Sequence, residues 1–284
     1  MILTSLLTSS LELSAPYTDP KLINPFDLIV TRKHIWVTIR DNSLVTKYDK
    51  TGKLIMSIDI PNPTGITKAI SKKCSSIYVA SENGNVYTIN NNIPTIYITT
   101  NSAITGITWH KYNLYLAKYD VGLVQIYHNQ APTWTIMDMP LSQLGYKPYG
   151  VREINNKIYI TYTNKIIGIG NGYVDSYDPK CKTLERIINR QTLNIPYSIV
   201  ARNYECKSHE EYDRDIELMI GNYGNGTISI FTDSGRYINQ LSNKDGGIIT
   251  NDGIMGMYLW EDTLYYVAAN DGGKIGSLGR IKLY

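Results

Sequence analysis

Residues 77–90 read IYVASENGNVYTIN. An alternating apolar run breaks at Glu82-Asn83-Gly84 and then resumes. Period two interrupted by an Asn/Gly break is the pattern of two antiparallel strands joined by a tight turn. The same pair recurs along the chain. Its first half returns as IWVT (35–38), LYLA (114–117), IYIT (158–161), LMIG (218–221) and LYYV (264–267). Its second half returns as NSLVTKYD (42–49), GLVQIYH (122–128), GYVDSYD (172–178), GTISIFTD (226–233) and LGRIKLY (278–284).

Each pair is preceded by another strand-like run that opens on a turn. These runs are NPFDLIV (24–30), NPTGITKAI (62–70), AITGITW (103–109), KPYGVREI (147–154), NIPYSIVA (194–201) and GIMGMYLW (253–260). Their turn residues align as Asp27, Gly65, Gly106, Gly150, Ser198 and Gly256. A fourth apolar stretch closes most units, as in KLIMSIDI (53–60) and IPTIYIT (93–99). Four strands per unit of about 40 residues is the period of propeller blades, and radial closure hides the sheet edges. The fold class is therefore all-β, a six-bladed β-propeller with four antiparallel strands per blade. It forms one domain over 1–284, with blades at about 22–60, 61–100, 101–140, 145–190, 193–243 and 247–284. The sixth unit ends on its third strand. A spare β-like segment within 4–14 is expected to add as its outer strand and close the ring.

Composition agrees. There are 24 Tyr against 2 Phe and 4 Trp, and Tyr suits half-buried pleated surfaces. A net charge of +3 is too small to argue for a nucleic-acid partner by itself. No apolar run is long enough to span a membrane as a helix. The N-terminus MILTSLLTSSLELSA lacks the basic start and long apolar run of a secretory signal, which favours an intracellular or virion location. Three cysteines without short spacing are read as free thiols.

The repeat sorts the loops into two faces. Turns leading into the first strands, and loops between second and third strands, fall on one face, called upper here. They place Asn24, Glu82, Asp120, Asn194, Asn222, Asn251 and Asp252 around one channel mouth. Oxygen ligands of this kind suit a hard divalent cation such as Ca²⁺, or a small polar ligand. The same residues are also ordinary turn formers, and both readings stand. The other, lower face is basic, with Arg32, Lys33, Lys72, Lys73, Lys111 and Lys157 on four consecutive blades. It fits nucleic acid or another polyanion, an acidic protein partner, or solvated turn charge. The blade-five insertion NYECKSHEEYDRD (203–215) is a partner-contact candidate.

No catalytic constellation emerges. His34, His110 and His128 map to lower-face turns and His209 to the insertion, so none stands beside the upper mouth. There is no Gly-x-Ser-x-Gly and no His-Glu-x-x-His. The glycine-rich IGIGNGYVDSYD (167–178) leads into a strand rather than a helix, which excludes a dinucleotide loop.

The segments LINPFDLIV (22–30), ASENGNV (80–86), GYKPYGV (145–151), GIGNGYVDSYD (168–178), IGNYGNGTISIF (220–231), NDGIMGM (251–257) and GSLGRI (276–281) together resemble a bacterial-type family of uncharacterised six-bladed propellers. That family is distantly similar to NHL-repeat and lactonase-like propellers. Phe26-Asp27 and Tyr197-Ser198 stand where it has Trp-Gly. The resemblance implies the propeller fold, and lactonase-like propellers hold a divalent cation at one mouth through Glu, Asn and Asp. The Ile-, Asn-, Lys- and Tyr-rich composition is similar to that of large-DNA-virus proteins. The leading functional expectation is a non-catalytic scaffold acting through protein partners, virion-associated in that setting. The alternatives are a divalent-metal-dependent hydrolase or lyase and a polyanion binder.

Overall fold

The structure is a computed structural model that describes residues 12–17, 19–70, 75–190, 192–203, 216–242, 248–269 and 275–283. It is a ring of six four-stranded antiparallel sheets. The innermost strands are Pro25–Val30, Pro63–Ile70, Gly106–His110, Lys147–Ile154, Pro196–Asn203 and Gly253–Trp260, one per expected repeat unit. In the first five blades the remaining strands follow outward in chain order.

Blade six takes its outer strand from the N-terminus. Glu12–Tyr17 pairs antiparallel with Ser277–Lys282, with Leu13 opposite Ile281 and Tyr17 opposite Leu278. The ring closes as the repeat count required; the described strand meets the expected segment 4–14 at residues 12–14, and residues 4–11 lie outside the described residues. A bulge falls between Ser14 and Tyr17, across Pro16. An outermost strand tolerates a proline there, because the missing donor has no neighbouring strand to bond.

Both faces of each blade are covered, which explains the near-continuous apolar runs of the second strands. Six hydrophobic clusters fill the six gaps between blades. Ile29, Val45 and Ile58 meet Ile66 and Val79 between blades one and two. Leu28, Val37 and Tyr48 meet Val267 and Leu278 across the closing gap. At the waist the inner strands touch backbone to backbone. A Cβ on Gly150 would lie 2.2 Å from the Tyr197 carbonyl, and one on Gly256 would lie 2.6 Å from Asp27 Cα. The recurring glycine in the first part of the repeat is a packing requirement of this waist.

A five-residue helix, Met139–Gln143, links blades three and four. Asp138 caps it by accepting from the Leu141 amide at 2.9 Å. Arg186 joins the Asp138 carboxylate to that of fully buried Asp175. Among the described residues, no helix is long and apolar enough to cross a membrane.

Candidate functional site at the two channel mouths

The repeat column one residue before the waist reads Phe26, Thr64, Thr105, Tyr149, Tyr197 and Met255. Its aromatics close the upper mouth. Tyr149 and Tyr197 stack at 3.5 Å between centroids, Phe26 stacks on Tyr149 at 5.7 Å, and Tyr223 stacks on Tyr197 at 4.8 Å. Tyr119 meets Tyr149 edge-on. Cations border the stack, with Lys165 4.3 Å over Tyr119 and Arg40 5.8 Å over Phe26. Burial holds the Tyr149 phenol well above its ordinary pKa, so it stays neutral.

The seven residues expected at this mouth divide into two groups. Asn194 and Asn222 are buried. The Asn194 amide donates to Asn222 Oδ1 at 2.9 Å, and Asn194 Oδ1 accepts from Gly168 at 2.9 Å. Asn222 Nδ2 donates to Thr227 and Ser229 at 3.1 and 3.0 Å. Both side chains tie a blade-five loop to its neighbours. Asn24, in the left-handed conformation, donates to both Asp41 oxygens at 3.1 and 3.2 Å. Glu82, Asp120 and Asn251 are exposed on the rim. Asp120 Oδ2 accepts from the Ala103 amide at 3.3 Å. The Asp252 amide donates to Thr250 Oγ1 at 3.1 Å. Among the described residues, no three His, Cys, Asp or Glu side chains are grouped to hold a metal ion.

The waist carries a charged pair that crosses the channel between opposite blades. Arg152 of blade four lies 3.5 Å from Asp27 of blade one, and the two side chains are only 15% and 14% exposed. Asp27 also accepts from the amides of Leu28 at 2.8 Å and Ile66 at 3.1 Å, the latter in blade two. Burial raises the Asp27 pKa, and Arg152 and the two amides pull it back only in part. Arg152 Nη2 donates to the Met257 carbonyl of blade six at 3.2 Å. A void of about 20 Å³ remains beside this pair.

Below the waist the channel opens. The column two residues after the waist reads Ile29, Thr67, Thr108, Arg152, Val200 and Tyr258, and all six line a funnel of about 480 Å³. Lys68, Trp109, Lys111 and Glu153 are among the other residues of its wall. Lys68 lies 5.3 Å over the Tyr258 ring and 5.0 Å over Trp260, and Arg152 lies 5.7 Å over Tyr258.

Of the expected basic-face residues, Arg32, Lys33, Lys111 and Lys157 are exposed in lower-face turns or at a strand start beside one. Lys111 and Lys157 share a depression with Lys180 between blades three and four. Lys72 and Lys73 lie outside the described residues, as do 204–215 of the insertion with His209 and Cys206, and Cys74. His110 is buried at 3.7 Å from Glu153, and burial lowers its pKa.

Sequence reasoning missed Phe26, Tyr119, Tyr149, Tyr197 and Tyr223 above, and Lys68 and Arg152 below. The signal was available, because the aligned columns beside the waist hold most of them.

The chain is 25% identical over 320 aligned residues to an uncharacterised protein, R648, of Acanthamoeba polyphaga mimivirus, covering 97% of this chain and 78% of that protein. No protein-family model matches. In fold it is similar to an auxiliary nutrient-binding protein of Bacteroides thetaiotaomicron, with a TM-score of 0.66 and 14% identity over 92% of this chain and 69% of that one. It is also similar to virginiamycin B lyase of Staphylococcus aureus, with a TM-score of 0.63 and 13% identity over 97% of this chain and all of that one. At these identities the likeness to the solved structures is one of fold.

Proposed function

We propose that the protein is a non-catalytic propeller scaffold that docks a protein partner on its upper face, at the loops of blades three and four. One observation carries this reading. Val121, Met139, Leu144, Ile166, Ile167 and Ile169 are all exposed there, Ile169 at 77%. Their loops adjoin. Ser142 of the helix stands within contact reach of a Cβ on Gly122, and Lys165 lies over Tyr119. Scattered exposed aliphatics are ordinary, but a cluster on one face marks an interaction site. The exposed Lys165 ammonium beside three isoleucines fits a partner segment with apolar anchors and a carboxylate. The mimivirus relative favours a viral setting, such as the particle or its assembly. The metal-dependent alternative has less support, since two of its seven oxygen donors, Asn194 and Asn222, are engaged in buried hydrogen bonds.

The test is site-directed photocrosslinking in the native setting. A crosslinker at Ile167 is expected to trap one defined partner, while one at Trp134 on the outer edge of blade three does not. Ile166→Ser/Ile167→Ser/Ile169→Ser should abolish a crosslink placed at Leu144. Equal labelling from both positions, or only self-crosslinks between copies of this chain, would overturn the reading.

A further inference from the structure

We propose that the lower-face funnel is a binding site for a small phosphate monoester, separate from the docking surface above. Its volume of about 480 Å³ lies in the range of small-molecule sites. Three cations line it, namely Arg152, Lys68 and Lys111. Among the described lining residues the one carboxylate is Glu153, and it is turned aside. Its Oε1 accepts from the Asn156 amide at 2.9 Å and faces His110 at 3.7 Å. Asp27 offsets Arg152 from the waist side, so Lys68 and Lys111 against Glu153 leave a smaller net positive charge inside walls of low dielectric, which concentrate its field. A carboxylate needs one such cation, whereas a monoester dianion uses several.

The donors are held in place before any ligand arrives. Lys68 donates to the Val30 carbonyl at 3.3 Å and rests on Tyr258 and Trp260. Arg152 is fixed by Met257 and Asp27 on its waist side, with the same Tyr258 ring beneath it. The left-handed turn at Lys111 is pinned by the Trp109 indole, which donates to the Lys111 carbonyl at 2.6 Å. Thr108 Oγ1 accepts from the Glu153 amide at 3.0 Å, leaving its own hydroxyl hydrogen to donate. Preorganised cations and hydroxyls at the foot of a concave site are what phosphate recognition uses.

The test is calorimetric titration of the full chain at low ionic strength with inorganic phosphate, AMP and adenosine. Phosphate and AMP are expected to bind and adenosine is not. Lys68→Met should weaken AMP at least tenfold. Arg152→Met alone leaves Asp27 without its partner, so the double variant Asp27→Asn/Arg152→Met is the safer companion, and it should show the same loss. Lys180→Met, on the same face but outside the funnel, should change affinity less than twofold. No binding of phosphate or AMP at millimolar concentration would overturn the proposal. So would equal affinity for adenosine or an equal loss in the Lys180 variant.

Discussion

The two ends of the channel are built from columns of one repeat only three residues apart, yet they differ in kind. Above the waist, the column holding Phe26, Tyr149 and Tyr197 turns large rings inward and they stack shut. Below it, the column holding Thr67, Thr108 and Arg152 leaves an open, positively charged funnel. The inner strands carry register shifts at the upper level, between Pro148 and Val151 or Pro63 and Ile66, and pair regularly below it, and the side chains differ with them: rings above, threonines, aliphatics and an arginine below. The two proposed roles follow this division, a protein partner on the rim loops of the plugged end and a small anion in the open one.

The strongest way to break this contrast is to open the ring itself. Removing residues 1–17 takes away the outer strand of blade six and its pairing with Ser277–Lys282. Loss of most of the usual 5–15 kcal/mol of stability is expected, read as a large fall and broadening of the thermal transition. An unchanged melting temperature would show that the ring does not depend on this closure. Next in size is the waist that separates the two ends. Gly150→Ala forces a Cβ to 2.2 Å from the Tyr197 carbonyl and should cost about 3 kcal/mol by denaturant unfolding. Gly145→Ala, with open space but φ +80°, should cost only about 1 kcal/mol.

The charged brace sharpens the lower end. Arg152→Met leaves the Asp27 carboxyl buried without its cation, with an expected loss of about 2–3 kcal/mol at pH 8. Because the folded Asp27 pKa is already raised, its protonated form favours folding. The loss should therefore shrink as the pH falls through the carboxylate range, and Asp27→Asn should restore much of it. A loss independent of pH would remove Asp27 from the account.

Under the upper patch, the buried Asp175 carboxyl is pushed up to about 7 by burial, against the pull of Arg186. A raised carboxyl pKa stabilises the fold below the unfolded value and loses that contribution as the pH rises toward about 7. The stability of the native protein relative to Asp175→Asn should thus decline between pH 4 and 7, by about 3 kcal/mol. A flat difference would contradict the buried state of this group. The smallest effect belongs to the patch itself. Ile166→Ser/Ile167→Ser/Ile169→Ser should shift stability by no more than about 0.5 kcal/mol per site, since the side chains already face water.

The architecture was legible because period-two alternation and the turn at each Gly or Asp/Asn repeat in register, and one wrong strand would have shifted every blade after it. The need for a closing strand was legible in the count of strands, but its register was not: an outermost strand pairs on one side only, and only the paired edge, Leu13 opposite Ile281, fixes it. The candidate sites were less legible. Asn194 and Asn222 have the residue types of a ligand set, but whether an amide meets a cation or a neighbouring loop depends on tertiary geometry. Arg152 lay two residues beyond the aligned Gly150, and its partner Asp27 is one of the two residues, with Ser198, that break the glycine column. Two exceptions in columns two positions apart, on opposite blades, were a pair that linear spacing could not connect.

The closing strand also sets a clock. Glu12 leaves the ribosome early, and its partner Lys282 is made about 270 residues later, roughly 15 to 55 seconds at ordinary synthesis rates. For all that time five blades can form while the sixth has no outer edge and the inner ring has a gap. The nascent chain must carry its first strand unpaired past every other blade and keep it from the exposed edges of the growing sheets. A bulged strand containing Pro16 pairs poorly with any other edge, so it is well suited to wait.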